Sequence, residues 1–328
     1  MQDSQDQEPL VSICIPVFNG EKTIAKTIGS IINQTYKNIE LIVVDNCSSD
    51  STVKIVEEFR DSRIRLILND IHLPCAEYNW NRCFQYARGA FMAIFHADDV
   101  YLSDMVLRQI EIFKKFPEIG CVFTQGNIID ENDNIIGEFK LPAEIRDSGL
   151  CSYSKIFNAA LESADFLPSP TAMIRRDLYS DLSPFRYDQF GSASDFDMWL
   201  RAAACAPVVI LNEKLINYRV SKIQGSFAIN KLRTHEADFF KVMDYHIEHS
   251  KDRLVISPCS MNNYEILRMG DQLIRARNCL YIRNWKEFNS LILIIPWMRY
   301  AKILIRSPKI FYSKFQLFKY FRTFKIYN

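Results

Sequence analysis

Short apolar runs alternate with amphipathic stretches through the first half of the chain. The runs at 11–18, 39–44, 63–68 and 90–95 are almost continuously apolar, which predicts buried strands. Between them, the stretches at 23–34, 53–60 and 76–88 repeat apolar residues at helical spacing. Strands that are apolar throughout and alternate with helices are typical of a mostly parallel sheet covered on both faces. The pattern therefore predicts an α/β fold built from repeated β-α units.

The second half departs from this simple alternation. Its pattern predicts a helix near 104–116, a strand at 121–125, a hairpin over 127–137, a helix at 152–162, a strand at 169–174, a helix at 194–204 and short strands at 208–211 and 216–218. From about 230 onward the spacing predicts helices only. We therefore expect an α/β domain over 1–228 and a helical C-terminal region over 229–328.

Composition narrows the class of protein. The 328 residues carry 40 Lys and Arg against 39 Asp and Glu, and 48% are apolar, which excludes a disordered chain or a small disulfide scaffold. The 9 cysteines include no C-x-x-C pair, which predicts reduced thiols and no zinc site. The N-terminus lacks the basic and apolar segments of a secretory signal, and the apolar run 291–298 is too short to cross a bilayer. We expect a cytoplasmic protein.

Acidic residues follow the predicted strands. Asp45 comes after the second strand, and Asp98 and Asp99 come after the fourth. The carboxyl ends of parallel strands meet at one sheet edge, where such carboxylates repel each other unless a cation or a donor-rich ligand lies among them. Paired carboxylates suit Mg²⁺ or Mn²⁺, although helix capping explains adjacent Asp residues about equally well. The acids indicate a candidate cation site.

A third acidic feature begins the helix predicted at 194–204. Asp195 follows the small residues Gly-Ser-Ala-Ser at 191–194, which leave room for a substrate. As a residue at a helix start, Asp195 fits either a partner of the helix dipole or a general base in a cleft. Asp197, two residues further, must point to another side of the helix.

Five segments in a fixed order carry a family resemblance. They are VSICIPVFNG at 11–20, LIVVDNCSSDST at 41–52, WNRCFQYARG at 80–89, FHADDVY at 95–101 and SDFDMWLR at 194–201. Together they resemble family 2 glycosyltransferases of the GT-A fold, a Rossmann-like architecture, over about residues 10–225. The resemblance implies an inverting enzyme that uses a nucleotide-sugar donor with Mg²⁺ or Mn²⁺, and a glycan or lipid-linked acceptor in cell-surface polysaccharide synthesis.

The resemblance also implies roles for individual residues. Pro16, Asn19 and Asp45 would line the nucleotide pocket, with Asp45 accepting hydrogen bonds from the base and favouring uracil or thymine. Asp98 would lie toward the ribose or the metal shell, and Asp99 would be the direct metal ligand. Asp195 would be the catalytic base. Arg219, after Tyr218, would contact the donor diphosphate or, equally, be a surface arginine at a strand end.

Two other functions remain open at this level. The protein could be a catalytically silent, membrane-bound assembly partner, although its intact acids argue against that reading. It could also be a nucleotidyltransferase of related architecture, which the lack of a Gly-rich phosphate loop disfavours. The motif Q-x-x-R-W of processive synthases does not follow Asp195, so the resemblance implies transfer of one sugar per encounter.

The C-terminal segment is basic and aromatic. From 283 to 328 it holds ten Lys and Arg and a single acid, and Arg299, Lys302, Arg306 and Lys309 share one predicted helical face. Interleaved Phe and Tyr residues over 311–324 favour a helix in an anionic membrane interface over a nucleic-acid surface. The alternative is a helical pair packed on the catalytic domain. We expect peripheral attachment to the inner face of the cytoplasmic membrane through 299–328.

Overall fold

The structure is a computed structural model that describes residues 8–146, 148–221 and 232–293. The predicted domain boundary near 228 and the basic segment 299–328 lie outside these residues, so the division into 1–228 and 229–328 stays a prediction. Among the described helices, none is both long and apolar enough to cross a bilayer.

The first half of the chain folds as the predicted β-α units. The elements are β1 (Val11–Val17), α1 (Ile24–Ile32), β2 (Ile39–Asp45), α2 (Thr52–Glu58), β3 (Ile64–Leu68), α3 (Ala76–Tyr86) and β4 (Phe91–Ile94). Strands β1 and β2 are buried along almost their whole length, as their continuous apolar runs indicate. The alternation read from the sequence is confirmed here.

The remaining elements are shorter and more varied. They are β5 (Val100–Tyr101), α4 (Met105–Lys115), β6 (Cys121–Ile129), β7 (Ile135–Glu138), α5 (Ala143–Arg146), β8 (Leu150–Cys151), α6 (Tyr153–Ser163), β9 (Met173–Arg175), α7 (Arg176–Asp181), α8 (Tyr187–Phe190), α9 (Ser194–Cys205), β10 (Val208–Arg219), α10 (Asp238–His249), α11 (Pro258–Tyr281) and α12 (Trp285–Leu293). Two 3₁₀ turns, Ser169–Thr171 and Gly191–Ala193, precede β9 and α9.

Two sequence predictions in this half were wrong. The segments 208–211 and 216–218 form one strand, β10, because irregular pairing on either side of Lys214 lets the strand continue beside β6. The predicted strand 169–174 begins instead with a 3₁₀ turn, since Pro168 and Pro170 cannot donate to a sheet ladder, and only Met173–Arg175 pairs as a strand. Strands β5 and β8, of two residues each, were not predicted.

The ten strands of the described residues form one sheet in the order β3-β2-β1-β4-β9-β6-β10-β5, with β7 beside β6 and β8 beside β10. The long pairings, β1 with β2 and β6 with β10, are parallel, whereas each antiparallel pairing joins only two or three residue pairs. Strand order reverses between β1 and β4, and the crevice outside the carboxyl ends of such strands is where α/β sheets bind ligands. The segments after β1, β2 and β4 meet at this crevice.

Alternate residues of the strands face two separate cores. In β1, Ile13 and Ile15 pack with α1, α2 and α4 on one face, whereas Cys14 packs toward α3, α6 and α9 on the other. The C-terminal helices join this second core, to which α10 contributes Phe240 and α11 contributes Tyr264. Helices α10 and α11 therefore pack against the face that carries α9.

Candidate active site

Asp45 ends β2 with one carboxylate oxygen committed and one available. The side chain is buried, and Oδ2 accepts the backbone N–H of Ser48 at 2.8 Å. Oδ1 is also buried and has no hydrogen-bond partner among the described residues. A buried acceptor without a donor is costly, so Oδ1 fits a ligand that brings a single N–H group.

The loop after β1 is tied to the turn after β2. Asn19 adopts a positive φ of 50°, and its backbone N–H donates to Ser48 Oγ at 2.8 Å while its side-chain oxygen accepts the N–H of Ser49 at 2.9 Å. Pro16 lies within β1 beside Val44 of β2. Asn19 therefore ties the loop after β1 to the turn that follows Asp45. The contacts of Pro16 and Asn19 with a nucleotide stay predictions.

Asp98 and Asp99 lie in the tight turn between β4 and β5. The buried Thr27 of α1 holds this turn, with its hydroxyl 3.0 and 2.8 Å from the carbonyl oxygens of Ala97 and Asp99. Asp99 is fully buried, and its Oδ1 accepts the backbone N–H of Arg219 at 2.7 Å. Its Oδ2 is buried with no hydrogen-bond partner in the described part of the chain. That orphaned oxygen fits a metal ligand.

The pKa of Asp99 and the groups around its carboxylate also indicate a cation site. Burial, and next the charge of Asp98, raise the pKa of Asp99 well above its ordinary range, and Arg219 opposes them. One ligand atom from each of His96, Asp98 and Asp99 lies within 4.8 Å of the others, and His96 Nδ1 is 3.8 Å from Asp99 Oδ2. Carboxylates suit Mg²⁺ and Mn²⁺, and an imidazole adds a donor more typical of transition metals. The residues fit a divalent cation.

Arg219 ends β10 and is turned onto the acidic segment. Its Nε donates to the carbonyl of Asp98 at 2.8 Å, and its two terminal nitrogens donate to the carbonyl of Asp130 and the carboxylate of Asp133. The guanidinium therefore ties the acidic turn to the β6–β7 hairpin. This arrangement differs from the exposed arginine that one reading of the sequence described, and the contact with a diphosphate stays a prediction.

The charges of Asp98 and Asp195 both act on His96. Burial lowers the pKa of His96, and the charges of Asp98 and Asp195 oppose that shift. Trp80 of α3 stacks on the imidazole, with ring centroids 5.7 Å apart and an interplanar angle of 29°. Both acidic groups therefore act on one imidazole at the sheet edge.

Asp195 lies in the first turn of α9, as the sequence predicts. Its Oδ2 accepts the hydroxyl of Ser169 at 2.7 Å, and its Oδ1 accepts the backbone N–H of Phe196 at 2.8 Å. Burial raises the pKa of Asp195 above its ordinary value, and the bonds from Ser169 and Phe196 and the charge of His96 limit the rise. A carboxylate with a raised pKa is a stronger base, which suits removal of a hydroxyl proton.

Asp197 lies on the opposite side of α9 in a buried ion cluster. It accepts from Arg186 Nε and Arg201 Nε, each at 2.9 Å, and its Oδ1 lies 3.2 Å from His246 Nε2. Burial raises its pKa, but the bonds from His246 and Arg186 and the charge of Arg201 prevail and lower it to about 2. His246 also contacts the Tyr153 hydroxyl, at 2.7 Å from Nδ1. The cluster joins α6, α9 and α10.

We expect Asp197→Asn to destabilise the fold by about 3 kcal/mol, because removing one charge of a buried cluster leaves its partners uncompensated. The depressed pKa means that the stabilisation is present above the ordinary pKa of about 4 and is lost as pH falls toward 2. Urea unfolding at pH 7 and pH 3 measures both effects. The matched control is Asp177→Asn, whose side chain is 68% exposed beside Arg175, and its cost should stay below about 1 kcal/mol. Equal losses in the two variants would contradict the prediction.

Sequence reasoning missed Ser169, Trp199 and the partners of Asp197. The one available signal was the spacing of Asp195 and Trp199, four positions apart on the predicted helix, which places them on one face. Ser169 carried no signal, because its contact depends on where β9 lies in the sheet. His246 carried no signal either, and it is buried beside Asp197.

Comparison with known proteins gives matches over most of the chain. Residues 12–183 match the family model described as Glycosyl transferase family 2. A UDP-Glc:alpha-D-GlcNAc-diphosphoundecaprenol beta-1,3-glucosyltransferase of Escherichia coli is 33% identical over 227 residues, covering 68% of this chain and 81% of that protein. The uncharacterized glycosyltransferase MJ1057 of Methanocaldococcus jannaschii is 30% identical over 243 residues, covering 70% of this chain and 80% of that one.

Solved structures show a similar fold. S. aureus TarS residues 1–349, in complex with UDP-GlcNAc, has a TM-score of 0.55 at 16% identity, and the match covers 86% of this chain and 90% of the TarS chain. The mannosyltransferase PcManGT of Pyrobaculum calidifontis, in complex with GDP-Man and Mn²⁺, has a TM-score of 0.55 at 17% identity, and the match covers 97% of this chain and 84% of the PcManGT chain. At these identities the likeness is one of fold.

Proposed function

The chain belongs to the family 2 glycosyltransferases, enzymes of the GT-A fold, and from that premise we propose a specific reaction. One sugar passes from a UDP- or dTDP-linked donor to a hydroxyl of a lipid-linked glycan, with inversion at the anomeric carbon. The observation that supports it best is the cluster of His96, Asp98 and Asp99, whose ligand atoms lie within 4.8 Å of one another. The charge of Asp195 also acts on His96, so the candidate metal acids and the candidate base lie near the same imidazole.

The donor base is proposed from the free oxygen of Asp45. Oδ2 accepts from Ser48, whereas Oδ1 has no hydrogen-bond partner in the described part of the chain and is open to a ligand. Uracil and thymine each present one ring N–H between two carbonyl groups, which matches a single acceptor. Guanine presents a ring N–H beside an amino group and would need two acceptors. The relative in Escherichia coli is named for a UDP-Glc donor, which agrees with this assignment.

The residues at the sheet edge divide the chemistry of transfer. The carboxylate of Asp195 takes the proton of the acceptor hydroxyl while the hydroxyl oxygen attacks the anomeric carbon of the donor sugar. The bond from that carbon to the diphosphate breaks, and its electron pair leaves with the diphosphate oxygen. Asp99, with Asp98 and His96, would hold the divalent cation, which supplies stabilisation of charge on the departing diphosphate. Arg219 holds Asp98 and Asp99 in place through its bonds to both residues. The intact acids favour this reaction over a silent assembly partner.

The acceptor is proposed to enter beside the start of α9. A cavity of about 180 Å³ lies there, lined by Asp165, Ser192, Ala193, Phe196, Arg233, Ala237, Asp238 and Phe239. Carboxylates, a hydroxyl and aromatic rings are groups that bind sugars, and Ala193 and Phe196 flank Asp195 by one or two residues. The Escherichia coli relative is named for a GlcNAc-diphosphoundecaprenol acceptor. We therefore propose a polyprenyl-diphosphate-linked sugar as the acceptor class.

The reaction is tested with the full chain, Mn²⁺, UDP-glucose and GlcNAc-diphosphoundecaprenol. We expect a lipid product heavier by one hexose, seen by mass spectrometry, and by NMR a β linkage from the α-linked donor. Other UDP-sugars and dTDP-sugars are tried in parallel, and a product from any of them supports the class. Retention of the donor configuration, or no product from any of these donors, would overturn the proposal.

We also propose that residues 299–328 attach the protein to an anionic membrane surface at the inner face of the cytoplasmic membrane. The support is their sequence pattern of basic and aromatic residues. Deletion of 299–328 is expected to move the protein from the vesicle pellet to the supernatant in sedimentation with anionic lipid vesicles. Replacing Arg299, Lys302, Arg306 and Lys309 with Gln tests charge alone and should weaken binding, most clearly at low salt. Unchanged partitioning of the deletion variant would refute the attachment.

A further inference from the structure

A chain of hydrogen bonds leads to the candidate base from the core of the protein. The indole Nε1–H of Trp199 donates to Ser169 Oγ at 2.7 Å, and the Ser169 hydroxyl donates to Asp195 Oδ2 at 2.7 Å. An indole N–H is a donor only, so the serine oxygen must accept from Trp199. The single proton of the hydroxyl is then directed at Asp195.

The two ends of this chain are carried by the same helix. Asp195 and Trp199 are four positions apart in α9 and lie on one face, while Ser169 reaches them from the 3₁₀ turn before β9. Pro168 and Pro170 flank Ser169, and proline restricts the backbone on both sides of it. The serine is thus held by its own backbone as well as by Trp199.

Packing fixes the indole in turn. Trp199 is buried, and the rings of Phe123 and Phe185 meet it edge to face at centroid distances of 5.4 and 5.9 Å. Rings packed in this way have little freedom to rotate, so the direction of the Nε1–H is set by the core. The core therefore determines the direction of the proton that Ser169 gives to Asp195.

We propose that Ser169 and Trp199 are positioning residues for the catalytic base. The bonded hydroxyl fixes the rotation of the Asp195 carboxylate and favours its ionised form, which is the form that accepts a proton from the acceptor hydroxyl. This inference rests on the proposed function, because it assigns Asp195 as the base of that reaction. Neither Ser169 nor Trp199 needs to touch a substrate for this role.

Other charged groups also influence the titration of Asp195, and their effect must be distinguished from that of the Ser169 hydrogen bond. The titratable side chains that interact with its charge are His96, Glu77 and Asp165. None of them is altered by a substitution at Ser169. A change in the titration of Asp195 after that substitution therefore reports the lost hydrogen bond.

The test is a direct titration of the carboxylate in the full chain. Protein labelled with ¹³C at Asp carboxyl carbons is followed by NMR against pH, and the signal absent from Asp195→Asn identifies Asp195. In Ser169→Ala we expect the midpoint of this titration to rise by about one pH unit, because a hydrogen bond to the ionised form is lost. Trp199→Phe, which keeps the ring and removes the N–H, should shift the midpoint in the same direction by less.

A control and a packing variant separate positioning from a structural effect. Ser194→Ala removes a buried hydroxyl adjacent to Asp195 whose Oγ has no partner among the described residues. This control should leave the midpoint within a small fraction of the Ser169→Ala shift. Phe123→Leu loosens the packing of Trp199 while keeping its N–H, and it should raise the midpoint by less than Ser169→Ala does. An unchanged midpoint in Ser169→Ala, or an equal shift in Ser194→Ala, overturns the proposal. Since the titration needs no donor or acceptor, failure of the proposed transfer reaction would not hide its outcome.

Discussion

Asp195→Asn is expected to lower kcat for sugar transfer by about 10²- to 10⁴-fold while leaving UDP affinity unchanged. The substitution keeps the shape of the side chain and one of the two oxygens that accept from Ser169 and Phe196. It replaces the other oxygen by an amide nitrogen and removes the negative charge that makes the carboxylate a base. A sugar hydroxyl is a weak nucleophile at neutral pH, so loss of the base acts on the chemical step rather than on donor binding.

The measurement is UDP release with the donor and acceptor of the transfer assay, paired with UDP binding by calorimetry. Asp177→Asn is the matched control, because Asp177 is likewise an acid in the first turn of a helix and is exposed. It should retain full activity. If Asp195→Asn keeps more than about a tenth of the native rate, general base catalysis by this residue is refuted.

Much of the fold was predictable because its central strands are buried on both faces. Apolar runs such as Val11–Val17 and Ile39–Asp45 alternate with helical stretches and so indicate parallel strands, and the parallel order that follows places Asp45, Asp98 and Asp99 at one edge. The position of Asp195 at a helix start was predictable from the helical spacing of 194–204. These features depend on local sequence and on one topological rule.

The remainder depends on contacts between residues far apart in the sequence. The irregular pairing that makes β10 continuous is set by β6, about 90 residues earlier, and has no local pattern. Ser169 meets Asp195 only because β9 inserts antiparallel between β4 and β6. His246 reaches Asp197 across 49 positions, and a histidine on an amphipathic helix gives no sign of which carboxylate it meets. Periodicity reports burial and does not report partners.

Arg219 shows the same limit within the site itself. The sequence places an arginine after a strand near the donor and allows either a diphosphate contact or a surface position. In the structure its guanidinium bonds the carbonyls of Asp98 and Asp130, and its backbone N–H bonds Asp99. The role of Arg219 is therefore defined by its contacts and not by its position in the sequence. These bonds hold Asp98 and Asp99, the candidate metal ligands, in place.

Asp99→Asn is expected to abolish the part of UDP affinity that depends on a divalent cation. In the native protein Asp99 Oδ2 is buried with no hydrogen-bond partner among the described residues, and the pKa of Asp99 is raised by burial and by the charge of Asp98. An amide in its place is neutral and leaves one fewer anionic donor beside Asp98 and His96. Removal of a residue that only hydrogen-bonds to a metal ligand lowers metal affinity by about 10- to 100-fold, so removal of a direct ligand should lower it by at least as much.

Calorimetry of UDP binding with and without Mn²⁺ measures this dependence. The native protein should bind UDP more tightly with Mn²⁺, and Asp99→Asn should bind equally in both conditions. Asp45→Asn is the informative comparison, because it changes the proposed base contact at Oδ1 and should weaken UDP in both conditions while keeping the increment from Mn²⁺. An increment that survives in Asp99→Asn would show that the cation is held elsewhere. No UDP binding in the native protein would overturn the uracil assignment and direct the same titration to dTDP and GDP.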